Sequence, residues 1–212
     1  MSRRSGSAAG STGGSACGPA LPRSFFARDS LEVAPELLNK VLVAGERALR
    51  IVEVEAYRGQ EDPASHAYRG PTRRNATMFG RPGLLYVYRS YGLHFCANVV
   101  CGTEGVAVAV LLRAGAPVWG LPALRAARPT ARTDTDLARG PGRLCQALGI
   151  DLSYDGADLT GSDGRLRLAE GGWPVPSRLE RGPRVGVSAA ADRHWRWWIA
   201  GDPHVSRARP AR

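Results

Sequence analysis

The clearest signal in this chain is a run of alternating side chains. From Ala48 to Tyr57 the sequence reads ALRIVEVEAY. A period of two predicts a β-strand with Ile51, Glu53, Glu55 and Tyr57 on one face and Val52, Val54 and Ala56 on the other. Just before it, Val41-Leu42-Val43 reads as another strand, followed by a turn at Gly45-Glu46. Asp29 and Ser30 are cap candidates for a short helix over Ala34 to Lys40. Leu84 to Tyr88 and Leu93 to Val100 predict a hairpin joined by Arg89-Ser90-Tyr91-Gly92. Val106 to Arg113 predicts a further strand, apolar until its last residue. Helical spacing runs over 118–127 and 136–148, the second interrupted at Gly140-Pro141-Gly142. Short strand-like pieces recur at Arg165 to Leu168, Arg184 to Val187 and Trp195 to Ile199. Antiparallel strands with a few helices and no regular βαβ rhythm predict an α+β fold: a single domain with a curved antiparallel sheet and flanking helices.

Two segments lack this patterning. Residues 58–83 are rich in Gly, Pro and Arg, a long loop of the kind usually kept for function or left disordered. The N-terminal stretch SGSAAGSTGGSACG is too polar for a signal-peptide core and reads as a flexible tail. The expected organisation is a disordered tail over 1–23, a folded domain over 24–206 and a basic tail over 207–212. No apolar run approaches the roughly 18 to 20 residues a membrane helix needs, so a membrane-spanning protein is excluded, and no membrane partner is expected.

Composition adds a bias of charge. The 212 residues include 29 Lys and Arg against 19 Asp and Glu, for a formal net charge of +10, and Lys40 is the single lysine. Arg3, Arg4 and Arg23 at one end and Arg207, Arg209 and Arg212 at the other stand in acid-free stretches. Residues 58–100 hold Arg58, Arg69, Arg73, Arg74, Arg81 and Arg89 against only Glu61 and Asp62. Such a surface attracts phosphate backbones and anionic membranes alike. The cysteines, Cys17, Cys96, Cys101 and Cys145, form no C-x-x-C pair, so neither a zinc site nor an iron–sulfur cluster is expected. They suit reduced cysteines in a cytosolic protein.

Three features could carry chemistry. Glu53 and Glu55 lie inside a hydrophobic strand, against the preference of Glu for water. Either that sheet face is open to solvent, or one carboxylate is a general base or nucleophile beside Tyr57. Tyr91, at a tight hairpin tip next to Arg89 and Gly92, is either an ordinary surface residue or a wedge for a base stack. Tyr86 and Tyr88 read as core or as platform; Tyr57, Tyr88 and His66 together would make a slot for a flat heterocycle.

Taken in order, IVEVEAY (51–57), EDPASHAYRG (61–70), RNATMFG (74–80), LYVYRSYGLHFCANVV (85–100), LLRA (111–114), GPGRLCQALGI (140–150), PRVGVS (183–188) and WRWWIAGDPHVS (195–206) resemble the alkyladenine (3-methyladenine) DNA glycosylase family in its bacterial form. The resemblance runs from about Phe25 to Ser206, essentially the whole body. It implies a base-excision repair enzyme that flips a damaged purine out of double-stranded DNA and hydrolyses its N-glycosidic bond, with no cofactor and no metal. By position, Glu55 takes the place of the catalytic glutamate that activates the attacking water. Arg113 and the backbone carbonyl of Val185 match positions that help hold that water. Tyr57 and Tyr88 match the walls that stack on the flipped base, with His66 in the same pocket. Asn98 matches the residue that crowds the amino group of guanine, and Tyr91 the intercalating tyrosine. Arg73, Arg74 and Arg89 are expected on the DNA backbone, and Glu53 in a structural role. The resemblance further implies a cytoplasmic, nucleoid-associated monomer.

The chain departs from the family pattern at Thr72-Arg73-Arg74-Asn75 and Gly80-Arg81-Pro82-Gly83, where arginine stands in place of an expected proline. Both changes add charge near the hairpin and leave the pocket positions untouched. A bifunctional glycosylase/lyase forms a Schiff base through a lysine or the N-terminal amine. With Lys40 at the end of a predicted helix, a monofunctional enzyme is expected. The rival readings are a nucleic-acid-binding module without chemistry, and a nucleoside hydrolase using Glu53 and Glu55 as a pair.

Overall fold

The computed structural model describes residues 17–161 and 166–207. Arg165, residues 1–16 of the expected N-terminal tail and residues 208–212 of the C-terminal one lie outside the described residues. In chain order the elements are α1 (Arg23–Phe26), α2 (Ser30–Glu36), β1 (Val41–Ala44), β2 (Arg47–Arg58), β3 (Leu85–Ser90), β4 (His94–Cys101) and β5 (Val108–Trp119). There follow α3 (Leu121–Ala127), α4 (Pro141–Leu148), β6 (Leu166–Ala169), β7 (Leu179–Gly182) and β8 (Arg196–Ile199).

The long strand β2 sets the architecture. β5 runs along one of its edges, while the other edge is shared by β1, opposite Arg47 to Arg50, and β8, opposite Glu53 to Glu55. The sheet extends in the order β3-β4-β5-β2-β1-β6, with β7 paired to β8. All pairings are antiparallel, and the sheet curls into a half-barrel with helices against it, the α+β architecture expected.

Strand β2 does not keep a strict period of two. Ile51 faces Gly115 and Glu53 faces Ala114, leaving Val52 as an extra residue; then Val54 faces Leu112, leaving Arg113 extra on β5. These opposed bulges flip the alternation. Ile51 joins Val54 and Ala56 in the main core, contrary to the expected sharing of a face with Glu53. Val52 packs with Ala114 and Ala116 on the other side. The bulge also aims Arg113 at the carboxylates, a common use of bulges beside functional sites. The wet-face reading of Glu53 and Glu55 fails, because both are fully buried.

Other boundaries move for local reasons. The first helix covers Ser30–Glu36, not Ala34 to Lys40, because Asp29 accepts the Leu31 N–H at 2.8 Å and caps it there. Asn39, at φ 68°, then turns the chain into β1. β5 runs on to Trp119, so the helix expected from 118 begins at Leu121. Gly140-Pro141 does not interrupt a helix over 136–148 but starts α4, since proline at the first helical position has no N–H to lose. The hairpin strands reach Ser90 and resume at His94, leaving Tyr91-Gly92-Leu93 as the turn. The segment from Cys17 to Pro22, expected as tail, lies along β6: Leu21 is buried and donates its N–H to the Leu168 carbonyl at 2.8 Å. Arg184 to Val187 is not a strand; its nearest strand is Leu179–Gly182.

Candidate active site

Cross-strand pairing puts Tyr86, Asn98, Leu111, Glu55 and Arg196 in one row across β3, β4, β5, β2 and β8. Because directly opposed residues share a face, the row brings widely separated parts of the chain to one side of the sheet. Above it the 58–83 loop, the hairpin tip and residues 185–187 enclose a cavity of about 480 Å³. That is ample for a purine ring, small-molecule sites being typically about 300 to 1,000 Å³. Tyr57, His66, Tyr88, Asn98, Tyr91, Arg113 and Val185, the predicted pocket residues, all line it.

Glu55 lies directly beneath this lining. Its Oε1 accepts the Val185 N–H at 2.7 Å and approaches the Arg113 Nη1 at 3.1 Å; its Oε2 accepts the Tyr57 hydroxyl at 3.0 Å. The first of these bonds explains the missing strand at Arg184 to Val187: the Val185 N–H goes to a side chain, not to a ladder. Burial, reinforced by the Glu55 charge, pushes the Tyr57 phenol well above its ordinary value, so it stays a donor.

Glu53 is differently placed. Its Oε1 takes bonds from Arg113 Nε at 2.8 Å, Arg196 Nε at 2.7 Å and Ser206 Oγ at 2.9 Å, and its Oε2 takes the Ser206 N–H at 2.7 Å. Burial opposes its ionisation, but Arg113, Arg196 and Ser206 outweigh that and hold its pKa below the usual glutamate value. The two carboxylates share Arg113, but Glu55 alone is also held by Tyr57 and Val185, two further residues of the cavity lining.

The aromatic wall is rigidly built. Tyr86 and Tyr88 stack with centroids 5.6 Å apart, and His66 meets Tyr88 edge-on at 4.3 Å. The His66 Nδ1 lies 3.2 Å from the Tyr86 hydroxyl, whose pKa burial pushes up to about 12. Burial and the nearby Arg74 lower the His66 pKa, favouring its neutral form. Asn98 is anchored on the Tyr86 carbonyl at 3.4 Å.

At the rim, Tyr91 is 90% exposed and held at φ 50°, beside Gly92 at φ 69°. Left-handed geometry at both positions is what a tight hairpin turn asks for, yet a tyrosine there costs about 1 to 2 kcal/mol. Arg74 and Arg89 line the cavity, with the Arg74 guanidinium donating to the Arg89 carbonyl at 3.0 Å. Arg73 does not; it borders a neighbouring hollow shared with Arg74 and Arg89. Among the described residues no three His, Cys, Asp or Glu side chains are gathered to hold a metal ion. Nor is any helix among them long and apolar enough to cross a membrane.

A buried carboxylate under an aromatic-walled cavity, with an exposed tyrosine and arginines at its mouth, fits a site for an extruded base. Comparison with known proteins decides the family. A sequence model of the methylpurine-DNA glycosylase family matches residues 24–203. The chain belongs to the methylpurine-DNA glycosylase family. It is thereby a DNA glycosylase, a hydrolase of N-glycosidic bonds with a DNA substrate. A 3-methyladenine DNA glycosylase named in Burkholderia orbicola is 52% identical over 194 residues, covering 91% of this chain and 94% of that protein. One in Streptomyces avermitilis is 51% identical over 192 residues, covering 88% and 90%, and one in Nocardia farcinica 53% over 189, covering 85% and 88%.

Sequence reasoning missed several methylpurine-DNA glycosylase site residues in this chain. Arg196 and Ser206 hold Glu53, and Asp62 and Arg184 form a buried ion pair behind Tyr57. Only their places inside the motifs hinted at a role; pairing across 122 residues leaves no mark in a single sequence.

Proposed function

We propose that this glycosylase removes alkylated purines from duplex DNA by flipping them into the cavity between Tyr57 and the Tyr88–His66 wall. Glu55 is the general base: a water near its Oε2 attacks C1′ of the sugar, passes its proton to the carboxylate, and the base leaves with the glycosidic electron pair. An N-alkylated purine is cationic and departs neutral, so the site has chiefly to stabilise an oxocarbenium-like sugar with the negative charge of Glu55. Arg113, the Val185 N–H and the Tyr57 hydroxyl hold that carboxylate in one orientation, and the Val185 carbonyl helps place the water. Tyrosine faces favour a cationic base by about 0.5 to 2 kcal/mol per contact. Asn98 discriminates against the exocyclic amino group of guanine, Tyr91 fills the gap left in the stack, and Arg73, Arg74 and Arg89 contact phosphates.

The observation that carries this reading is the burial of Glu55 beneath the cavity with both oxygens already engaged by residues that line it. Glu53 argues against a paired-carboxylate nucleoside hydrolase, since four hydrogen-bond donors already engage its two oxygens. The enzyme works as a monomer on the bacterial nucleoid, in the cytoplasm, and leaves an intact abasic site. Lys40, the single lysine, is tied to Glu170 at 2.7 Å and does not line the cavity.

Incubation with duplex DNA alkylated by a methylating agent tests both points. Free 3-methyladenine is expected in the supernatant, with unbroken strands and no covalent adduct after borohydride. No release would overturn the glycosylase reading; a borohydride-trapped adduct would overturn the monofunctional one.

A further inference from the structure

Behind Tyr57, on residues that do not line the cavity, lies a second buried ion pair. Asp62 and Arg184 are both fully buried in their side chains. The Asp62 carboxylate grips both terminal nitrogens of the guanidinium, the Nη2 contact being 2.8 Å. Arg184 Nη1 also donates at 3.1 Å to the carbonyl of Ala56, the residue between Glu55 and Tyr57. The guanidinium carbon sits 4.6 Å from the centroid of the Tyr57 ring and 5.1 Å from that of Trp195, filling the space between them. Its Nε is buried without a hydrogen-bond partner, alone in this among the side-chain atoms of the described residues. A buried charge with an unsatisfied donor is expensive to keep for stability alone.

The chain position of Arg184 matters as much as its contacts. The next residue, Val185, supplies the 2.7 Å N–H bond to Glu55. Asp62 in turn begins the loop that carries His66: it accepts the Ala64 N–H at 3.2 Å and the Arg58 N–H at 3.3 Å. One ion pair therefore touches the strand carrying Glu55 and Tyr57, the segment that orients Glu55, and the loop that supplies His66.

We propose that Arg184, held by Asp62, is a positioning residue for excision, acting through Glu55 and Tyr57 without touching the substrate. This rests on Glu55 being the base. The fork of the guanidinium is needed as well as its charge. Lysine keeps the charge but cannot hold Asp62 with two nitrogens or stack flat between two rings. Small misplacements of a reacting carboxylate slow chemistry far more than they weaken binding of the rest of the DNA.

The test is single-turnover excision of 3-methyladenine from alkylated duplex DNA, corrected by active-site titration so that unfolded protein does not count. Alongside it runs affinity for a duplex holding an abasic-site analogue. Arg184→Lys is expected to lower the excision rate per active site by about 10- to 100-fold. Affinity for the abasic duplex should stay within about threefold of wild type, because no base occupies the pocket. Added to Glu55→Gln, Arg184→Lys should cause no further loss, as expected of groups that act as a unit. A wild-type rate, a parallel fall in affinity, or losses that multiply with Glu55→Gln would each overturn the proposal. Should Arg184→Lys fail to fold, Asp62→Asn gives the same three readings. If Glu55→Gln alone retains full activity, it is the reading of Glu55 that fails, and the two failures are told apart.

Discussion

Glu53 and Glu55 stand two residues apart on one strand, share Arg113, and have opposite lives. Glu53 is saturated, with donors from Arg113, Arg196 and Ser206, and serves as the post to which β2, β5, β8 and residues near the C-terminus are tied. Replacing it should remove a buried counter-charge from Arg196 and leave Arg113 with Glu55 alone. Glu53→Gln is therefore expected to lower the unfolding free energy at neutral pH by about 3 to 5 kcal/mol, measured by urea denaturation. Its pH dependence follows from the direction of its shift. The folded pKa lies below the ordinary 4.5, so its stabilisation is complete above pH 4.5 and is lost as the pH falls through the folded value. The gap between wild type and Glu53→Gln should accordingly narrow below pH 4.5. Sequence alone could flag both carboxylates as misplaced in an apolar strand. It could not say which was free to act, because Ser206 lies 153 residues from Glu53 and Val185 lies 130 from Glu55.

At the scale of elements, the strands were readable wherever alternation was local. The hairpin at Leu85–Ser90 and His94–Cys101 and the long β2 differ from expectation by only a few residues. The bulges at Val52 and Arg113 were not readable, because a bulge is defined by which strand lies opposite, not by the strand itself. The same holds for residues 184–187, whose backbone serves Glu55. The hairpin tip is the element most exposed to test. Tyr91 is held in a left-handed conformation with its ring in solvent, and this geometry is what supports the proposal that the ring acts as a wedge. Tyr91→Ala should leave stability within about 0.5 kcal/mol, since the residue is 90% exposed. The barrier to excision on duplex DNA should rise by about 1 to 3 kcal/mol, slowing the rate roughly 5- to 150-fold, the worth of one stacked base. On single-stranded substrate, where no gap needs filling, the loss should be under about threefold; an equal loss on both would contradict the wedge.

Over the whole molecule, the net charge of +10 was the least specific clue. Part of it belongs to terminal arginines outside the described residues, and the buried Arg113, Arg184 and Arg196 add nothing to it, being matched by Glu53, Glu55 and Asp62. At the cavity mouth stand Arg74 and Arg89, with Arg73 on the neighbouring hollow; these are the arginines proposed to contact phosphates around Tyr91. The two ends of the described chain also serve the site's frame: Leu21 closes the sheet beyond β6, while Val205 accepts from Arg139 at 2.8 Å and Ser206 seals Glu53. The fold thus converts distant segments into one rigid pocket floor, and the central claim is that Glu55 on that floor performs the chemistry. The most direct measurement follows Glu55→Gln on alkylated duplex DNA, scoring binding and release of free 3-methyladenine in the same samples. Binding within about threefold of wild type and release slowed by at least about 100-fold is the predicted result. Release at the wild-type rate would contradict it.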